Sequence, residues 1–466
     1  MRKFWAPVGI SVLLGGLIAV GWTACGGSNA VTTSPTVTNV TLSDPAACAG
    51  PSGPYSHVYV TVTDVQASTS AAGSSGFVDL TPSLKSSPQQ IDLLGQANNQ
   101  CFLASLGSTT QLQAGDYQQI RLILADNSTS VTGNKCGNNG ANCVVLNSGA
   151  AAQLNLSSEA TTGIKIPSGQ IAGGKFTVAA GTTKDLNIDF DTCDSIVLEG
   201  NGQYRLKPVL HAGEVSTTST SITGTVVDKA TGQAVSGTTM VALEQKDASG
   251  TDRIFMTTLA DASGHFVFCP VPAGTYDVVA TAISSTNVIY AATLTTGVSV
   301  GTSLASIPLI AAQAPAAVVG QVTTSTGSAV AAADITLSAL QTATVGTSTV
   351  TFTVPLTAQS SGTASLATAA GTSCAANTGC ASYTLQLPGA PANAGAFSAA
   401  GTTWTQATAA TVATTVEADA FVPSSGGTPD CTPSVETTTQ TSAAAALALG
   451  PGLSLTAATL AFTGCQ

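Results

Sequence analysis

Apolar side chains in this chain return at every second residue, in runs too short for helices. In His57-Val58-Tyr59-Val60-Thr61-Val62-Thr63-Asp64-Val65 the valines at 58, 60 and 62 share one face, while His57, Tyr59 and Thr61 share the other. That is the pattern of a strand with one buried side. Ile120-Arg121-Leu122-Ile123-Leu124 and Leu186-Asn187-Ile188-Asp189-Phe190-Asp191 read the same way. A helix would need its apolar stripe to return every three to four residues. Ser105 to Leu112 is too short and too Thr-rich for one, and the Ala443–Leu449 run is the single segment expected to form a short helix. Hydrophobic residues make up 44% of the 466, against 8% charged. So much apolar material argues against disorder, and the length exceeds what one core can fill. The expected fold class is all-β: three β-sandwich modules in tandem after a signal peptide and flexible linker.

Charge narrows the choice of partners. Thirteen basic residues face 24 acidic ones, a net charge of −11; removal of the first 24 residues takes Arg2 and Lys3 away and deepens the imbalance. Nucleic acid is excluded as an expected partner. No Lys or Arg follows Arg253. The remainder of the chain has no cationic side chain with which to hold a phosphate, and is a poor place for nucleotide chemistry.

Met1-Arg2-Lys3 precedes an uncharged, mostly apolar run from Phe4 to Ala24, followed by Cys25-Gly26-Gly27-Ser28. This is the order of a secretory signal. Trp22-Thr23-Ala24-Cys25 resembles the lipoprotein signal, in which a small residue precedes a cysteine that becomes diacylated; Trp22 stands where that family usually has an aliphatic residue. The resemblance implies a signal peptide over 1–24, a lipid anchor at Cys25, a flexible tether over 25–38 and a membrane as partner, with export to the bacterial cell envelope as an outer-membrane lipoprotein. The competing reading is an uncleaved helix, since the apolar run at about 1.5 Å per residue reaches about 30 Å. Either way the rest of the chain lies outside the cytoplasm.

Eleven cysteines are present, ten without Cys25. None of the ten sits in a CxxC and only three histidines accompany them, so disulfides in an oxidising compartment fit better than zinc. Cys136–Cys143 and Cys374–Cys380 span Gly/Asn-rich turns and are natural local pairs. Cys431–Cys465 and Cys48–Cys193 are the next pairings expected, which leaves Cys101 for Cys269.

The segments LSDPAAC at Leu42–Cys48, HVYVTVTDV at His57–Val65, LQAGDYQQIRL at Leu112–Leu122, LNIDFD at Leu186–Asp191 and YRLKPVL at Tyr204–Leu210 resemble a domain-of-unknown-function family (family 4382 type) found in bacterial surface lipoproteins. The resemblance covers 39–212 and implies a β-sandwich with no assigned chemistry. After a Ser/Thr-rich linker at Glu214–Ser221, ITGTVVDKATGQAVSG at Ile222–Gly237 and DASGHFVFCPVPAGTYDVVA at Asp261–Ala280 resemble the carboxypeptidase regulatory-like (transthyretin-like) sandwich. That likeness covers 221–312 and implies scaffolding without catalytic residues. An internal repeat sets Gly224 against Gly320, Val226 against Val322 and Val235 against Val330. It predicts a divergent second transthyretin-like sandwich over 316–466, its Ala/Thr-rich insertions at Thr357–Thr372 and Thr437–Ala448 forming long loops.

Catalytic motifs are missing: there is no GxSxG, HExxH or P-loop. His57, His211 and His265 are read as structural, with His211 closing the Tyr204–Leu210 strand. Asp185, Asp189, Asp191 and Asp194 form the one acidic cluster. Asp189 and Asp191 share a strand face with Asn187 and are the metal candidates, suited to Ca²⁺; the favoured reading is instead an exposed charged face that deters edge pairing. No metal or other cofactor is expected. Tyr59 and Trp404 are the aromatics that would stack on a sugar. The expected function is a non-catalytic, membrane-tethered binding or structural scaffold. The alternative is a carbohydrate- or peptide-binding adhesin-like surface protein, with an envelope protein or glycan as partner, and an envelope hydrolase comes third.

Overall fold

The computed structural model describes residues 36–43, 55–70, 76–94, 104–157, 159–199, 202–215, 221–312, 314–356, 365–421, 431–433, 435–438 and 446–465. They are almost entirely β-structure, with short 3-10 turns and one four-residue helical turn, Thr192–Ser195. The all-β expectation holds.

The alternating runs place two sheets face to face around a first core. One sheet runs in the order Leu210–Glu214, Thr183–Phe190, Thr36–Ser43, Ala104–Leu112. The other is built around the 14-residue strand Tyr55–Ser68, which pairs with Gln119–Leu124 on one side and Cys143–Leu146 on the other. Val40, Leu42, Leu186, Ile188 and Phe190 from the first sheet meet Val58, Val60, Val62, Ile120 and Leu122 from the second, all at most 1% exposed. Between the strands of the first sheet the polar residues form rungs. Asn39 Nδ2 donates to Asp185 Oδ1 (2.6 Å), Thr41 Oγ1 to Asn187 Oδ1 (2.9 Å) and Ser43 Oγ to Asp189 Oδ1 (3.0 Å), in step with the parallel register of Thr36–Ser43 on Thr183–Phe190.

A second core gathers Val226, Leu243, Phe266, Phe268, Tyr276, Val278 and Ile307. A third gathers Val318, Val322, Ile335, Phe352, Tyr383, Leu385, Val416 and Phe462, and takes in Val279, Ala292 and Leu294 from the neighbouring unit. The latter two units share one twelve-stranded sheet. In its centre lie Thr293–Ser299, Thr275–Ser284, Gly237–Lys246 and Asp252–Leu259. Asn393–Ala396 continues it beyond Thr293–Ser299 and Ser348–Thr353 beyond Asp252–Leu259. Strands of the third unit thus extend this sheet of the second on both sides, by four residue pairs at Thr293–Thr296 and by one at Asp252, which shortens the open edges a separate sandwich would present.

The repeat has a physical basis. Gly224 pairs with Phe266 and Gly320 with Tyr383. A Cβ at Gly224 would lie 2.7 Å from the Phe266 ring, and one at Gly320 would lie 2.3 Å from the Tyr383 ring. In both units an aromatic ring from the adjacent strand covers a glycine, and Val226 and Val322 then face their cores. Val235 and Val330 do not match in this way: Val235 is half-buried on the second core and Val330 is exposed.

Several local expectations are corrected. Leu447–Leu449 is a strand paired with Val412–Thr414, not the end of a helix; sheet pairing overrides the helix preference of alanine and leucine. Alanines 443–445 lie outside the described residues. Within the first insertion expected as a loop, Ser365–Ala367 is a paired strand, and the second, Thr437–Ala448, opens on the last residue of the paired strand Val435–Thr437. Glu214 ends a strand and so is not linker. Tyr204–Leu210 divides into Tyr204–Leu206 and Leu210–Glu214, which enter different sheets. Pro208, which has no N–H to give a ladder, lies at the break.

The glycine–aromatic pairing predicts that Gly320→Ala destabilises the protein by about 1–3 kcal/mol, because Tyr383 is buried and has no room to give way. Urea denaturation measures this; unchanged stability would show that the ring's position is not fixed.

Candidate functional site

Three of the polar assemblies among the described residues bear on function or on how the units join. The first lies between the first and second units. Asn187, Asp189 and Asp191 are only 3%, 3% and 5% exposed, so the expected exposed charged face is not found. The second unit covers it: a crevice there is lined by Asp189, His211, Gly213, Phe255, Met256 and Pro272, among others. Approach is close enough that a Cβ on Gly213 would meet Pro272 Cγ at 2.5 Å. Thr257 Oγ1 crosses the seam to Asp191 Oδ2 (3.1 Å).

His211 sits opposite Asp189 in the register, inside a strand and not at its close. Its ring lies 5.1 Å from that of Phe255. His211 Nδ1 and Asp189 Oδ2 are both buried without a hydrogen-bond partner. Burial pushes the His211 imidazole down to about 4. Burial, reinforced by Asp191, raises the Asp189 carboxyl well above the usual carboxylate range. Among the described residues no group of three or more His, Cys, Asp or Glu is placed to hold a metal ion.

The second assembly lies on the outer face of the sheet around Tyr55–Ser68. His57 and Tyr59, two residues apart, stack with ring centroids 5.5 Å apart and planes at 18°. His57 Nδ1 is 2.6 Å from Asp92 Oδ2, and Asp92 Oδ1 accepts the Val58 and Leu94 N–H groups. Beside it, the Cys136–Cys143 loop is tied to the sheet. Gln90 Nε2 donates to Asn134 Oδ1 (2.9 Å) and the Ala141 carbonyl (3.0 Å), and Thr61 Oγ1 donates to the same carbonyl (2.6 Å).

The third assembly joins the second and third units. Arg253 donates through Nη1 and Nη2 to the two oxygens of Glu417, and through Nε to Asp247 Oδ2 (2.9 Å). The Thr353 N–H donates to Glu244 Oε2 (3.2 Å), while Lys246 holds Asp252 (2.8 and 2.7 Å) and reaches Asp277 (3.4 Å). Glu244 is fully buried with Oε1 unpartnered, and burial raises its carboxyl far above the ordinary value. No spacing in the chain marks this cluster, because its members come from different strands.

Disulfides join Cys136 to Cys143, Cys374 to Cys380 and Cys431 to Cys465, and Cys269 is also disulfide-bonded. Cys25, Cys48 and Cys101, with the side chains of Cys193 and Asp194, lie outside the described residues. His265 opens a strand, its N–H bound to Asp261 Oδ1 (3.0 Å). Trp404 is no open platform: it packs with Phe397 on the second core, and its Nε1 donates to Thr295 Oγ1 (3.0 Å). Among the described residues no helix is long and apolar enough to cross a membrane.

The seam makes stability depend on pH. An imidazole held neutral in the fold, but free to charge at about 6.5 in the unfolded chain, contributes stability that is lost as pH falls from about 6.5 to about 4. A carboxyl whose folded value is raised acts oppositely: its contribution is present below the unfolded value of about 3.9 and is lost as pH rises. His211→Gln should therefore flatten the acid limb between pH 6.5 and 4 by on the order of 1–3 kcal/mol. Asp189→Asn should raise stability at pH 8. Urea titrations at pH 4.5, 6.5 and 8 measure both, and parallel curves for wild type and variants would refute them. EDTA should leave the melting temperature unchanged; a drop of many degrees would make the acidic strand a metal site.

No curated protein matches the chain. Among solved structures it is similar to the Bacillus anthracis TIE protein, at 9% identity and TM-score 0.16, covering 92% of this chain and 51% of that one. The chain thus spans about half that protein's length. It is also similar to the shaft pilin SpaA of Lactobacillus rhamnosus GG, at 11% identity and TM-score 0.17, covering 60% and 98%. A DUF3823 family protein from Bacteroides uniformis is similar at 11% identity and TM-score 0.16, covering 44% and 90%. At these scores the likenesses carry no argument about function. Residues 36–208 match the family model of a domain of unknown function, DUF4382.

Proposed function

We propose that the protein is a non-catalytic bacterial cell-envelope lipoprotein, tethered to the outer membrane through Cys25 and acting as a binding or structural scaffold. The observation that carries this reading is how the units are joined. Sheet pairing, the Arg253–Glu417 pair and the covered acidic strand brace one unit against the next, an arrangement suited to holding a surface in place and not to opening and closing around a substrate. Disulfides at Cys136–Cys143, Cys374–Cys380 and Cys431–Cys465 fit an oxidising compartment. In this reading 39–212 is the head, 221–312 is a carboxypeptidase regulatory-like brace and 316–466 is its divergent second copy. The bound partner is an envelope protein or a glycan.

The anchor is tested directly. Cys25→Ala should release the protein from membranes in soluble form. Continued retention of an unprocessed chain would count for the uncleaved helix and against the lipid.

A further inference from the structure

We infer that the outer face of the first unit, centred on His57 and Tyr59, binds a neutral oligosaccharide. The inference rests on the binding reading above and names its ligand class. The cross-strand registers place Asp92 opposite Tyr59 on one side and Cys143 opposite it on the other, with Gln153 opposite Cys143 on the next strand. Directly opposite residues share a face. Asp92, Tyr59, Cys143 and Gln153 therefore lie in register across four strands, with the Cys136–Cys143 disulfide buried (2% and 0% exposed) between the half-buried Tyr59 and the exposed Gln153. At the usual strand spacing the row is roughly 14 Å long, enough for a short oligosaccharide.

The chemistry along the row favours a sugar. The stacked His57 and Tyr59 rings supply aromatic surface against which the C–H face of a pyranose can lie. His57 is 45% exposed and Asp92 20%. Asp92 is fixed by its three hydrogen bonds, and because it occupies His57 Nδ1, Nε2 is the nitrogen left for a ligand hydroxyl. Gln153 is exposed, and its side-chain amide is already oriented by a bond from Nε2 to Asn155 Oδ1 (2.9 Å). The disulfide-closed loop, held next to Gln90 by the adjoining Lys135 N–H (2.7 Å), meets the row at Cys143, between Tyr59 and Gln153. Such fixed groups lose little freedom when a ligand arrives.

A protein partner fits less well. A specific protein interface needs a broad apolar centre, and the exposed large apolar residues among those described are Leu198, Val319, Val330 and Leu453, none of them in this row. A polyanionic glycan is disfavoured by the chain's net charge of −11.

The full-length protein should be tested on immobilised cello-, xylo-, manno- and chito-oligosaccharides, with polygalacturonate as the anionic control. Wild type should retain at least one neutral series and not the control. Tyr59→Ala should weaken that binding about tenfold or more with unchanged circular dichroism and melting temperature, while Tyr59→Phe should stay within about threefold. Failure to hold any neutral series, or equal binding by Tyr59→Ala, would overturn the assignment. Neither result touches the lipid anchor, which the Cys25→Ala fractionation decides separately.

Discussion

A buried carboxylate that keeps its charge needs a counter-charge, and the chain beyond Arg253 contains no Lys or Arg. That constraint organises the junction between the second and third units. Glu417, 5% exposed, lies on a strand of the third unit and takes both its hydrogen bonds from Arg253 in the second. Lys207, from the first unit, donates to Thr336 on the strand beside it. The third unit thus borrows its cations from its neighbours. Within the full chain, loss of Arg253 would leave the Glu417 carboxylate without its partner. Ion pairing of this kind contributes more to fixing which surfaces meet than to net stability.

Backbone pairing acts in the same direction. The third unit extends the second unit's sheet on both sides, by four residue pairs at Asn393–Ala396 and by one at Phe352. Thr353 reinforces the second of these contacts twice, through its N–H to Glu244 and its hydroxyl to the Asp252 carbonyl. The second unit meets the first across Gly213, where the absence of a side chain lets Pro272 approach. Different devices serve the two junctions, but both depend on surfaces fitted to each other.

Periodicity made the strands legible, because a two-residue repeat states which side chains face a core. Val58, Val60, Val62, Leu186, Ile188 and Phe190 sit where their spacing placed them. The same repeat could not say what the opposite face meets. Asn187, Asp189 and Asp191 look solvated in one dimension, yet a surface some 65 residues further along the chain covers them. Composition misled in a similar way at Leu447–Leu449, where alanine-rich sequence conceals a paired strand. The glycine repeat was visible but its cause was not, since Phe266 and Tyr383 lie far from the glycines they cover. Trp404 reads as a sugar platform in one dimension, yet in the fold it is half-buried against another unit's core. Tyr59, read from its strand face, kept its exposure, but Asp92 and Gln153 join it only through pairing.

The strand Thr36–Ser43 occupies an interior place in its sheet, flanked by Ala104–Leu112 and by Thr183–Phe190. Its rungs link residues about 146 apart in the chain. A polypeptide threaded through a membrane amino end first would present this segment early and complete its pairing late, after a long stretch had followed it through. In the interval its β-prone valines and threonines would stand unprotected, because strand pairing across so long a sequence separation forms late.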